Sequence, residues 1–420
     1  MKNIQKIRGT VDLNQYDLFL FDYIVNIVKK LSKSYAFQQY LTPIIEHSAV
    51  FHKTLGYTSD IISKETYNFI DRDRKSLILR PEFTAAVARA ALENNMLQTV
   101  PLKLFSYGPL FRHERPQKCR LRQFNQFNFE YIGTRGNSPI IESLLLADSI
   151  IKTLELTNIR LCINHIGSKD DRSRYKNALQ KYFLKYINDL SITNKKKIET
   201  NPLRILDSKE NKDQIIIQEA PSINNFLNDT SKENLDFIME QLNRLNIDFQ
   251  ISSTLVRGID YYSDIVFEFI TQDLGSQGTI IAGGCYNDLI KHKDNSRTLS
   301  VGFAGGFERI MHLLKIKNLK QYKNRVFYLV PIGIIAENYA NVLAYKLRTY
   351  YSLCIDLHFQ LSLKKRMKKA HQLQYSYVVI FGEHEIKRKE LLIKNMKTGI
   401  EHSVLESQIS IFLNTNIFHC

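Results

Sequence analysis

The chain has 420 residues, of which 44% are hydrophobic and 24% charged, which fits a globular protein with a sizeable core and two or three domains. Its net charge of +16 and pI near 9.4 favour a polyanionic partner such as nucleic acid, although a lysine-rich proteome gives the same surplus. Five widely spaced cysteines without a CxxC pair or zinc spacing favour a reduced, cytoplasmic chain, and no apolar run is long enough for a membrane span.

The first predicted elements precede residue 95. Leu18 to Leu31 has the pattern of an amphipathic helix. Tyr40 to Glu46 is a predicted strand that runs into Pro43, which on its own would usually be a turn proline. A short strand from Leu77 to Pro81 leads into an alanine-rich helix that starts at Glu82. Carboxylates in a first helical turn are commonly cap or dipole partners, so Glu82 alone would more often be structural than functional.

A β-hairpin is predicted next. Leu104 to Arg112 is aromatic and β-branched enough to be a strand, and Arg122 to Tyr131 alternates with a period of two. Successive side chains leave opposite faces of a strand, so we expect one face of the second arm in the core. We expect the side chains of the other face either to form a functional site or to be exposed to solvent. The apolar face holds Phe127, Phe129 and Tyr131, and the polar face holds Gln126, Asn128 and Glu130.

The loop between the two arms, His113 to Leu121, is too long and too cationic for a tight turn. Guanidinium groups hold phosphate oxygens in a planar fork, so such a loop could fold over an anion. An arbitrary hairpin of this composition is more often a solvated basic tip. The candidates for nucleotide contact are Arg112, Arg115, Arg120 and Arg122.

The middle of the chain is less informative. Ser138 to Leu154 is an amphipathic helix, and about Asn164 to Leu245 is polar and mostly helical in pattern. Strands are predicted at Ser252 to Val256 and at Val266 to Ile270, with Arg257 and a glycine directly after the first. A glycine at a strand end allows close backbone approach, so a ligand could lie against Arg257. The alternative is an exposed arginine beside two packing tyrosines.

Ser300 to Ile310 is a glycine-rich strand that opens into a helix, which alone is weak evidence for phosphate binding. A basic linker, Lys315 to Arg325, comes after it.

From Val326 onward strands and helices alternate, which predicts a small separate α/β domain. The predicted elements are the strands Val326 to Pro331, Cys354 to Phe359 and Ser376 to Gly382, and the helices Asn338 to Tyr350 and Leu363 to Leu373. The last helix has a cationic face, which is usually a solvated surface but suits RNA phosphates. That face is predicted to hold Lys364, Lys365, Arg366, Lys368 and Lys369.

Taken together, these segments resemble the class II aminoacyl-tRNA synthetases in their histidyl form. Phe111 to Lys118 is closely similar to the second signature motif of that class, Tyr40 to Glu46 to the first, and Ser300 to Ile310 to the third. Leu79 to Thr84 resembles the turn that binds the amino acid. Leu255 to Tyr262 resembles the histidine-specific motif that separates this family from other class II synthetases.

The resemblance extends over nearly the whole chain. Asn201 to Lys209 is similar to a phrase in the inserted helical segment that the family places near the tRNA acceptor arm, and no chemistry is assigned to it. Leu363 to Ala370 resembles part of the anticodon-binding domain. One segment departs from the family pattern Gly-Gly-Arg-Tyr-Asp, because Cys285 and Asn287 stand where the family has arginine and aspartate. Both are therefore left out of the predicted site.

The resemblance implies an α+β catalytic domain at residues 1–322, with an antiparallel sheet flanked by helices and a helical insertion at about 168–245. An α/β anticodon-binding domain follows at residues 326–420. The implied assembly is a cytoplasmic homodimer, with the first motif at the dimer interface and no membrane contact. The implied ligands are L-histidine, ATP with Mg²⁺ and the tRNA for histidine, and no tightly bound, protein-ligated metal is expected.

The implied reaction has two steps. The carboxylate of L-histidine attacks the α-phosphate of MgATP to give histidyl-adenylate and pyrophosphate, and the terminal ribose hydroxyl of the tRNA then attacks the acyl carbonyl. No protein nucleophile is needed, so positioning and charge stabilisation should dominate catalysis. The residues implied as catalytic are Arg257 and Arg112.

The remaining site residues follow from motif position. The resemblance assigns the substrate ammonium to Glu82 and Thr84, its carboxylate end to Gln126, and its imidazole to Glu130 with two tyrosines. The residues implied to bind histidine are Glu82, Phe83, Thr84, Arg112, Gln126, Glu130, Arg257, Tyr261 and Tyr262. The residues implied to bind ATP are Arg112, His113, Glu114, Arg120 and Arg309.

Two other classes of protein share parts of this pattern. A paralogue without catalytic activity, such as the regulatory subunit of ATP phosphoribosyltransferase, shares the catalytic core, and Cys285 and Asn287 are the best argument for it. The run from Arg257 to Tyr262 and the C-terminal domain argue against it. A class II synthetase for glycine, threonine or proline should lack the Arg257 to Tyr262 run.

Overall fold

The computed structural model describes residues 4–55, 60–117, 119–206, 208, 210–256, 261–275, 278–287, 289–290, 299–316, 326–351, 353–357, 362–373, 375–413 and 415. The chain divides into two compact units, Met1–Leu319 and Lys320–Cys420. None of the described helices is long and apolar enough to cross a membrane.

The first unit combines strands and helices along its whole length. Its strands are β1 (Gln38–Gln39), β2 (Ile45–His47), β3 (Tyr67–Ile70), β4 (Ser76–Leu79), β5 (Leu102–Phe111), β6 (Gln123–Thr134), β7 (Arg160–His165), β8 (Phe249–Ile251), β9 (Ser263–Ile270), β10 (Thr279–Cys285) and β11 (Leu299–Gly306). Its α-helices are α1 (Gln15–Ser34), α2 (Ser48–Leu55), α3 (Asp60–Lys64), α4 (Thr84–Glu93), α5 (Ser138–Thr153), α6 (Lys169–Lys185), α7 (Ile192–Lys195), α8 (Lys197–Thr200), α9 (Asn211–Gln218), α10 (Asp229–Arg244) and α11 (Phe307–Ile316).

An eight-stranded sheet is the centre of the first unit, in the order β1-β5-β6-β11-β10-β9-β7-β8. Neighbouring strands from β5 to β7 run antiparallel, whereas the edge strands β1 and β8 pair in parallel with β5 and β7. The predicted antiparallel sheet is confirmed for the centre, and parallel pairing is confined to the two edges. A small separate sheet has the order β2-β4-β3.

The predicted hairpin is confirmed as β5 and β6, which pair from Leu102 opposite Ile132 to Phe111 opposite Gln123. Alternation along β6 divides its side chains as expected. Phe127 and Phe129 are buried in the main core beside residues of α1, α5 and α11. The opposite face of β6 is therefore left for polar side chains.

Among the predicted boundaries that differ from the structure, three lie close to the site. The strand expected at Tyr40 to Glu46 is wrong for most of its length: residues 40–44, around Pro43, form no strand, and β2 begins only at Ile45, while the short β1 ends before Tyr40. The strand expected at Ser252 to Val256 lies earlier, at β8, where pairing with β7 fixes it. Helix α4 starts at Thr84 and not at Glu82, because Glu82 uses its side chain to cap the helix.

Helices α6 to α10 lie between β7 and β8, at residues 169–244. Helices α6, α8 and α9 contribute to a separate hydrophobic cluster, whereas the buried apolar residues of α10 belong to the main core. Tyr175, Leu179 and Phe183, spaced four residues apart along α6, are buried in the separate cluster. The polar, helical pattern of this part of the sequence is thus a small helical layer with its own core.

The second unit has a five-stranded sheet. Its elements are β12 (Val326–Ile332), α12 (Ile334–Tyr351), β13 (Cys354–Leu357), α13 (Leu363–Gln372), β14 (Tyr377–Gly382), α14 (Glu383–Arg388), β15 (Glu390–Asn395), β16 (Glu401–Leu405) and α15 (Ile409–Leu413). The order is β13-β12-β14-β15-β16, in which β12 is parallel to β13 and β14, and β15 and β16 add antiparallel pairs. The alternating α/β pattern is confirmed, and the β15–β16 hairpin was not predicted.

The cationic face predicted on α13 needs one correction. Arg366 is buried and donates from Nη1 to the carbonyl oxygen of Pro331 at 2.7 Å, so it belongs to the inward side of the helix. Ala370, one turn later, is buried on the same side. The lysines of the helix form the outward face without Arg366.

Candidate active site

The polar face of β6 lies at a cavity of about 430 Å³ in the first unit. Strand β11 runs beside it, with Glu130 opposite Gly302 and Gln126 opposite Gly306. Glycines on β11 leave the space above these side chains open. The predicted site residues that line the cavity are Glu82, Phe83, Thr84, Arg112, Glu114, Arg120, Gln126, Tyr261, Tyr262 and Arg309.

Glu82 has a structural role and also lines the cavity. Its two carboxylate oxygens accept hydrogen bonds from the backbone N–H groups of Thr84 and Ala85, each at 2.7 Å, and so cap α4. Burial raises the pKa of Glu82, while the two N–H donors and the nearby Arg112 act in the opposite direction. A helix cap thus holds this carboxylate in a fixed place at the edge of the cavity.

Glu130 is fully buried behind the lining residues. Its Oε1 accepts from the Thr84 hydroxyl at 2.5 Å and from the Asn128 amide at 2.9 Å, and its Oε2 accepts from the Tyr286 hydroxyl. Burial raises the pKa of Glu130 to about 7. Glu130 is not among the residues that line the cavity, and its three donors Thr84, Asn128 and Tyr286 are. The carboxylate of Glu130 therefore acts on the cavity indirectly, because it orients the hydroxyls of Thr84 and Tyr286, which line the cavity.

Three tyrosines stand together at this end of the cavity. The rings of Tyr261 and Tyr262 have centroids 4.8 Å apart, and Tyr261 meets Tyr286 edge-on at 5.8 Å. Burial raises the pKa values of Tyr261 and Tyr286, so both hydroxyls keep their protons and can donate. Tyr286 was not predicted as a site residue, although it matches the tyrosine of the family pattern Gly-Gly-Arg-Tyr-Asp, two residues after Gly284, and this match was a usable signal.

Arg112 stands where β5 ends and faces the cavity. Its Nε donates to the carbonyl oxygen of Pro81 at 2.9 Å, and its guanidinium lies 5.3 Å from the centre of the Phe124 ring. Pro81 directly precedes the capping residue Glu82. The arginine and the carboxylate are thus held next to each other by the short segment between β4 and α4.

Arg120 is held in the cavity by two carboxylates. Its Nε donates to Glu114, and its Nη2 lies 3.4 Å from Oε1 of Glu65. Burial and the neighbouring carboxylate of Glu114 raise the pKa of Glu65. Glu65 was not predicted, because nothing in the sequence around it links it to the loop fifty residues later.

Arg309 approaches from the other side, at the start of α11. It donates to the carbonyl oxygen of Thr279, and burial lowers its pKa. The adjacent Glu308 accepts from the backbone and side-chain amides of Asn125, at 2.9 and 3.0 Å, which ties α11 to β6. Arg112, Arg120 and Arg309 therefore meet at one cavity although they come from distant segments.

The structure separates other residues from this group. The side chain of His113 is exposed and packs edge-on against Tyr67, with ring centroids 5.5 Å apart, and it does not line the cavity. Arg115 is exposed, and Arg122 donates to the carbonyl oxygen of Glu114 at 3.3 Å. Of the four loop arginines, Arg112 and Arg120 are the two that reach the cavity.

Comparison with known proteins decides the family. A model of the histidyl-tRNA synthetase family matches residues 21–310, and a model of the anticodon-binding domain matches residues 327–412. The histidine–tRNA ligase of Wolbachia pipientis wMel is 45% identical over 398 residues, which are 94% of this chain and 96% of that relative. This chain belongs to the histidyl-tRNA synthetase family.

Further relatives agree with this family. The histidine–tRNA ligase of Ehrlichia ruminantium strain Welgevonden is 42% identical over 403 residues, 96% of this chain and 95% of that relative. The apo S. aureus histidyl-tRNA synthetase matches with a TM-score of 0.79 and 30% identity, covering 98% of this chain and 99% of that chain. The class II fold and the assignment as a ligase that forms aminoacyl-tRNA, both predicted from the sequence, are confirmed.

Arg257, implied as catalytic by the family's histidine-specific motif, lies outside the described residues, as do Gly258, Ile259 and Asp260. The described neighbours on both sides of this segment, Val256 and Tyr261, line the cavity.

Cys285 and Asn287, the two positions that depart from the family pattern, both lie outside the cavity and contact other parts of the fold. Cys285 is fully buried in the main core, and burial raises the pKa of its thiol. Asn287 donates from its amide to Asp264 at 2.5 Å and accepts from the backbone N–H of Ser300 at 3.0 Å. Neither residue lines the cavity.

The helical layer also reaches the cavity, through Lys197 and Arg204. Arg204 lies in the segment that the sequence linked to this family's inserted helices and to which no chemistry was assigned. Arg172 of α6 donates to the carbonyl oxygen of Tyr262, which ties the same layer to the tyrosine cluster.

Proposed function

We propose that this chain activates L-histidine with MgATP to histidyl-adenylate and pyrophosphate, and then transfers histidine to the 3′ end of the tRNA for histidine. One observation carries the proposal. A single cavity gathers Arg112, Arg120 and Arg309 next to the carboxylate of Glu82 and the hydroxyls oriented by Glu130. Three cations beside a small polar pocket suit an amino acid that meets a triphosphate.

The amino-acid end of the cavity has donors and acceptors for each part of histidine. We assign the ammonium to Glu82 and Thr84 and the carboxylate end to Gln126. Glu130, acting through its hydroxyl donors together with Tyr261 and Tyr262, recognises the imidazole. A site built from buried polar groups rejects a side chain that lacks the matching N–H, because the mismatch leaves a buried group unpaired.

The nucleotide end supplies positive charge. We assign the α-phosphate and the substrate carboxylate to Arg112 and Arg257, the outer phosphates to Arg120 and Arg309, and adenine to the part of the cavity lined by Glu114. His113, which was also expected to bind ATP, does not line the cavity and receives no role. Mg²⁺ enters with ATP as part of the substrate. Bound phosphates compete with Glu65 and Glu114 for Arg120, since these carboxylates hold its guanidinium in this structure. Attack on the α-phosphate then needs only fixed reactants and stabilised charge.

We assign tRNA binding to both units. The family-matched anticodon-binding unit presents the lysines of α13, and the net charge of +16 favours a polyanion. Lys197 and Arg204 of the helical layer face the cavity in which the 3′ end would be charged.

We further propose a cytoplasmic homodimer. The segment similar to the first signature motif has apolar side chains that this single chain leaves exposed, namely Leu41 at 59%, Ile44 at 41% and Ile45 at 51%. A patch of this kind supports contact with a second copy.

An ATP–pyrophosphate exchange assay tests the proposal. Exchange should depend on L-histidine and should stay at background with each of the other nineteen amino acids. Arg112→Ala should lower exchange by roughly a hundredfold or more, the scale for one preorganised charge-stabilising group. Arg115→Ala, an exposed arginine of the same loop, is the matched control and should stay within about twofold of the unmodified chain. Exchange that depends on another amino acid would overturn the assignment of histidine.

A further inference from the structure

A second cavity, of about 250 Å³, lies in the first unit and shares no lining residue with the cavity described above. It lies where the end of β7 and the beginnings of β9 and β11 meet the helical layer. The residues that line it and enter the argument are Asn137, His165, Ser168, Asn228, Asp264 and Asn287.

Three helices begin at this cavity. Asn137, Ser168 and Asn228 are the N-cap residues of α5, α6 and α10, which have 16, 17 and 16 residues. The N-terminus of a helix carries a partial positive charge and favours a negative group. The carboxylate of Asp171 already caps α6, where it accepts from the backbone N–H of Ser168 at 3.0 Å. The ends of α5 and α10 therefore make the carboxylate of a ligand a favourable occupant of that side.

His165 supplies the observation that points to a ligand. The residue is fully buried, and its Nδ1 accepts a hydrogen bond from the backbone N–H of Gly167 at 3.0 Å. Burial lowers the pKa of His165, so the neutral ring carries its proton on Nε2. This Nε2 is buried and has no hydrogen-bond partner among the described residues. A buried donor without an acceptor is costly, and an acceptor brought by a ligand would satisfy it.

The cavity also has a negative side. Asp264 accepts from the Asn287 amide at 2.5 Å and has no cationic ion-pair partner among the described residues. Asp171, the other carboxylate near His165, is paired with Arg174 at 2.7 Å. A simple anion would meet repulsion from Asp264, whereas a ligand that also carries an ammonium would find a partner there.

We propose that this second cavity binds a small zwitterion of the α-amino acid class. Its carboxylate accepts from Nε2 of His165 near the N-termini of α5 and α10, and its ammonium pairs with Asp264. The occupant is bound apart from the amino acid that is being activated.

Glycine and acetate are suitable probes, because acetate has the carboxylate of glycine without the ammonium. Binding to the full chain is measured by ligand-observed NMR, with the first cavity filled by a non-hydrolysable histidyl-adenylate analogue. A rise in melting temperature with the analogue checks that this first site is occupied. Failure of that step would concern the proposed function and not the second cavity.

Two variants test separately how the carboxylate and the ammonium of the ligand are bound. His165→Asn keeps an acceptor for Gly167 and removes Nε2, so it should weaken both glycine and acetate by at least fivefold. Asp264→Asn, which suits the positive φ of 52° at this position, should weaken glycine by at least fivefold and leave acetate unchanged or tighter.

The proposal is overturned by an absence of saturable glycine binding or by glycine binding that is unchanged in His165→Asn. It is also overturned if Asp264→Asn weakens acetate as much as glycine, which would show that no ammonium is read. If His165→Asn does not fold, the comparison of the two probes on Asp264→Asn decides alone.

Discussion

Replacing Gly302 by alanine tests whether Glu130 is fixed where the structure places it. A Cβ atom at Gly302 would lie 1.9 Å from Oε2 and 2.7 Å from Cδ of Glu130, and 2.8 Å from the carbonyl oxygen of Phe129. Since ordinary van der Waals contact begins at 3.4 Å, the carboxylate would have to retreat by about 1.5 Å, the difference between 3.4 and 1.9 Å. Such a shift breaks at least one of the hydrogen bonds from Thr84, Asn128 and Tyr286.

The expected cost follows from those contacts. A hydrogen bond to a charged group contributes about 1.5–3 kcal/mol, and overpacking a tight core costs about 1–3 kcal/mol. We therefore expect Gly302→Ala to destabilise the first unit by about 3 kcal/mol, which lowers its melting temperature by roughly 5–10 °C. Because the displaced carboxylate no longer orients the hydroxyls of the cavity, the KM for histidine in pyrophosphate exchange should rise at least about tenfold.

Gly306→Ala is the matched control. Gly306 lies on the same strand and lines the same cavity, yet an added Cβ would come no closer than 3.9 Å to any neighbour considered, Cδ of Arg309. Its melting temperature and histidine KM should stay close to those of the unmodified chain. If Gly302→Ala also melts within about 1 °C of the unmodified chain and keeps its KM, the inferred position of Glu130 is wrong.

Further variants test the remaining parts of the site. Between pH 4.5 and 7 folded Glu130, with its pKa raised from 4.5 to about 7, holds a proton that the unfolded chain has lost, so the unfolding free energy should fall by roughly 3 kcal/mol as pH rises. In urea unfolding at pH 5 and pH 8, Glu130→Gln should show a fall that is smaller by this amount, since Glu82 and Glu65, whose pKa values are also raised, remain in the variant. An equal fall in both proteins would contradict the raised pKa of Glu130. Tyr286→Phe leaves Oε2 of Glu130 without its donor and should raise the KM for histidine about tenfold with a smaller effect on kcat, whereas an unchanged KM would remove Tyr286 from recognition. Arg257→Ala should lower adenylation by roughly two to three orders of magnitude, and activity within about threefold would remove Arg257 from the mechanism.

Local patterns in the sequence were sufficient for the elements that carry the site. The period of two along Gln126 to Tyr131 predicted which side chains of β6 pack in the core and which lie on the cavity side, because side chains alternate between the two faces of any strand. The spacing of glycines before Phe307 predicted the strand-to-helix transition at β11 and α11. The roles of individual residues came from family resemblance, since no local pattern distinguishes an arginine that binds phosphate from an exposed one.

Other features depend on pairing that no local pattern contains. Tyr286 reaches Glu130 only because β10 and β6 both flank β11, and Glu65 meets Arg120 only because the hairpin loop folds back over α3 and the residues after it. Arg366 lies among lysines in the sequence and reads as a surface residue, yet its guanidinium is buried beneath α13 and donates a hydrogen bond to a backbone carbonyl oxygen. Each of these contacts joins segments far apart in sequence, so tertiary structure alone decides them.

Glu82 shows how structural and functional roles can coincide in one residue. The sequence posed them as alternatives, a helix cap or a ligand for the substrate ammonium. The cap uses one lone pair on each oxygen for Thr84 and Ala85, and each carboxylate oxygen has a second lone pair. Capping also removes the side-chain freedom that would otherwise be lost when a ligand binds. A carboxylate fixed by the first turn of α4 is therefore better prepared to receive an ammonium than a free one, and the cap supports the binding role that we propose.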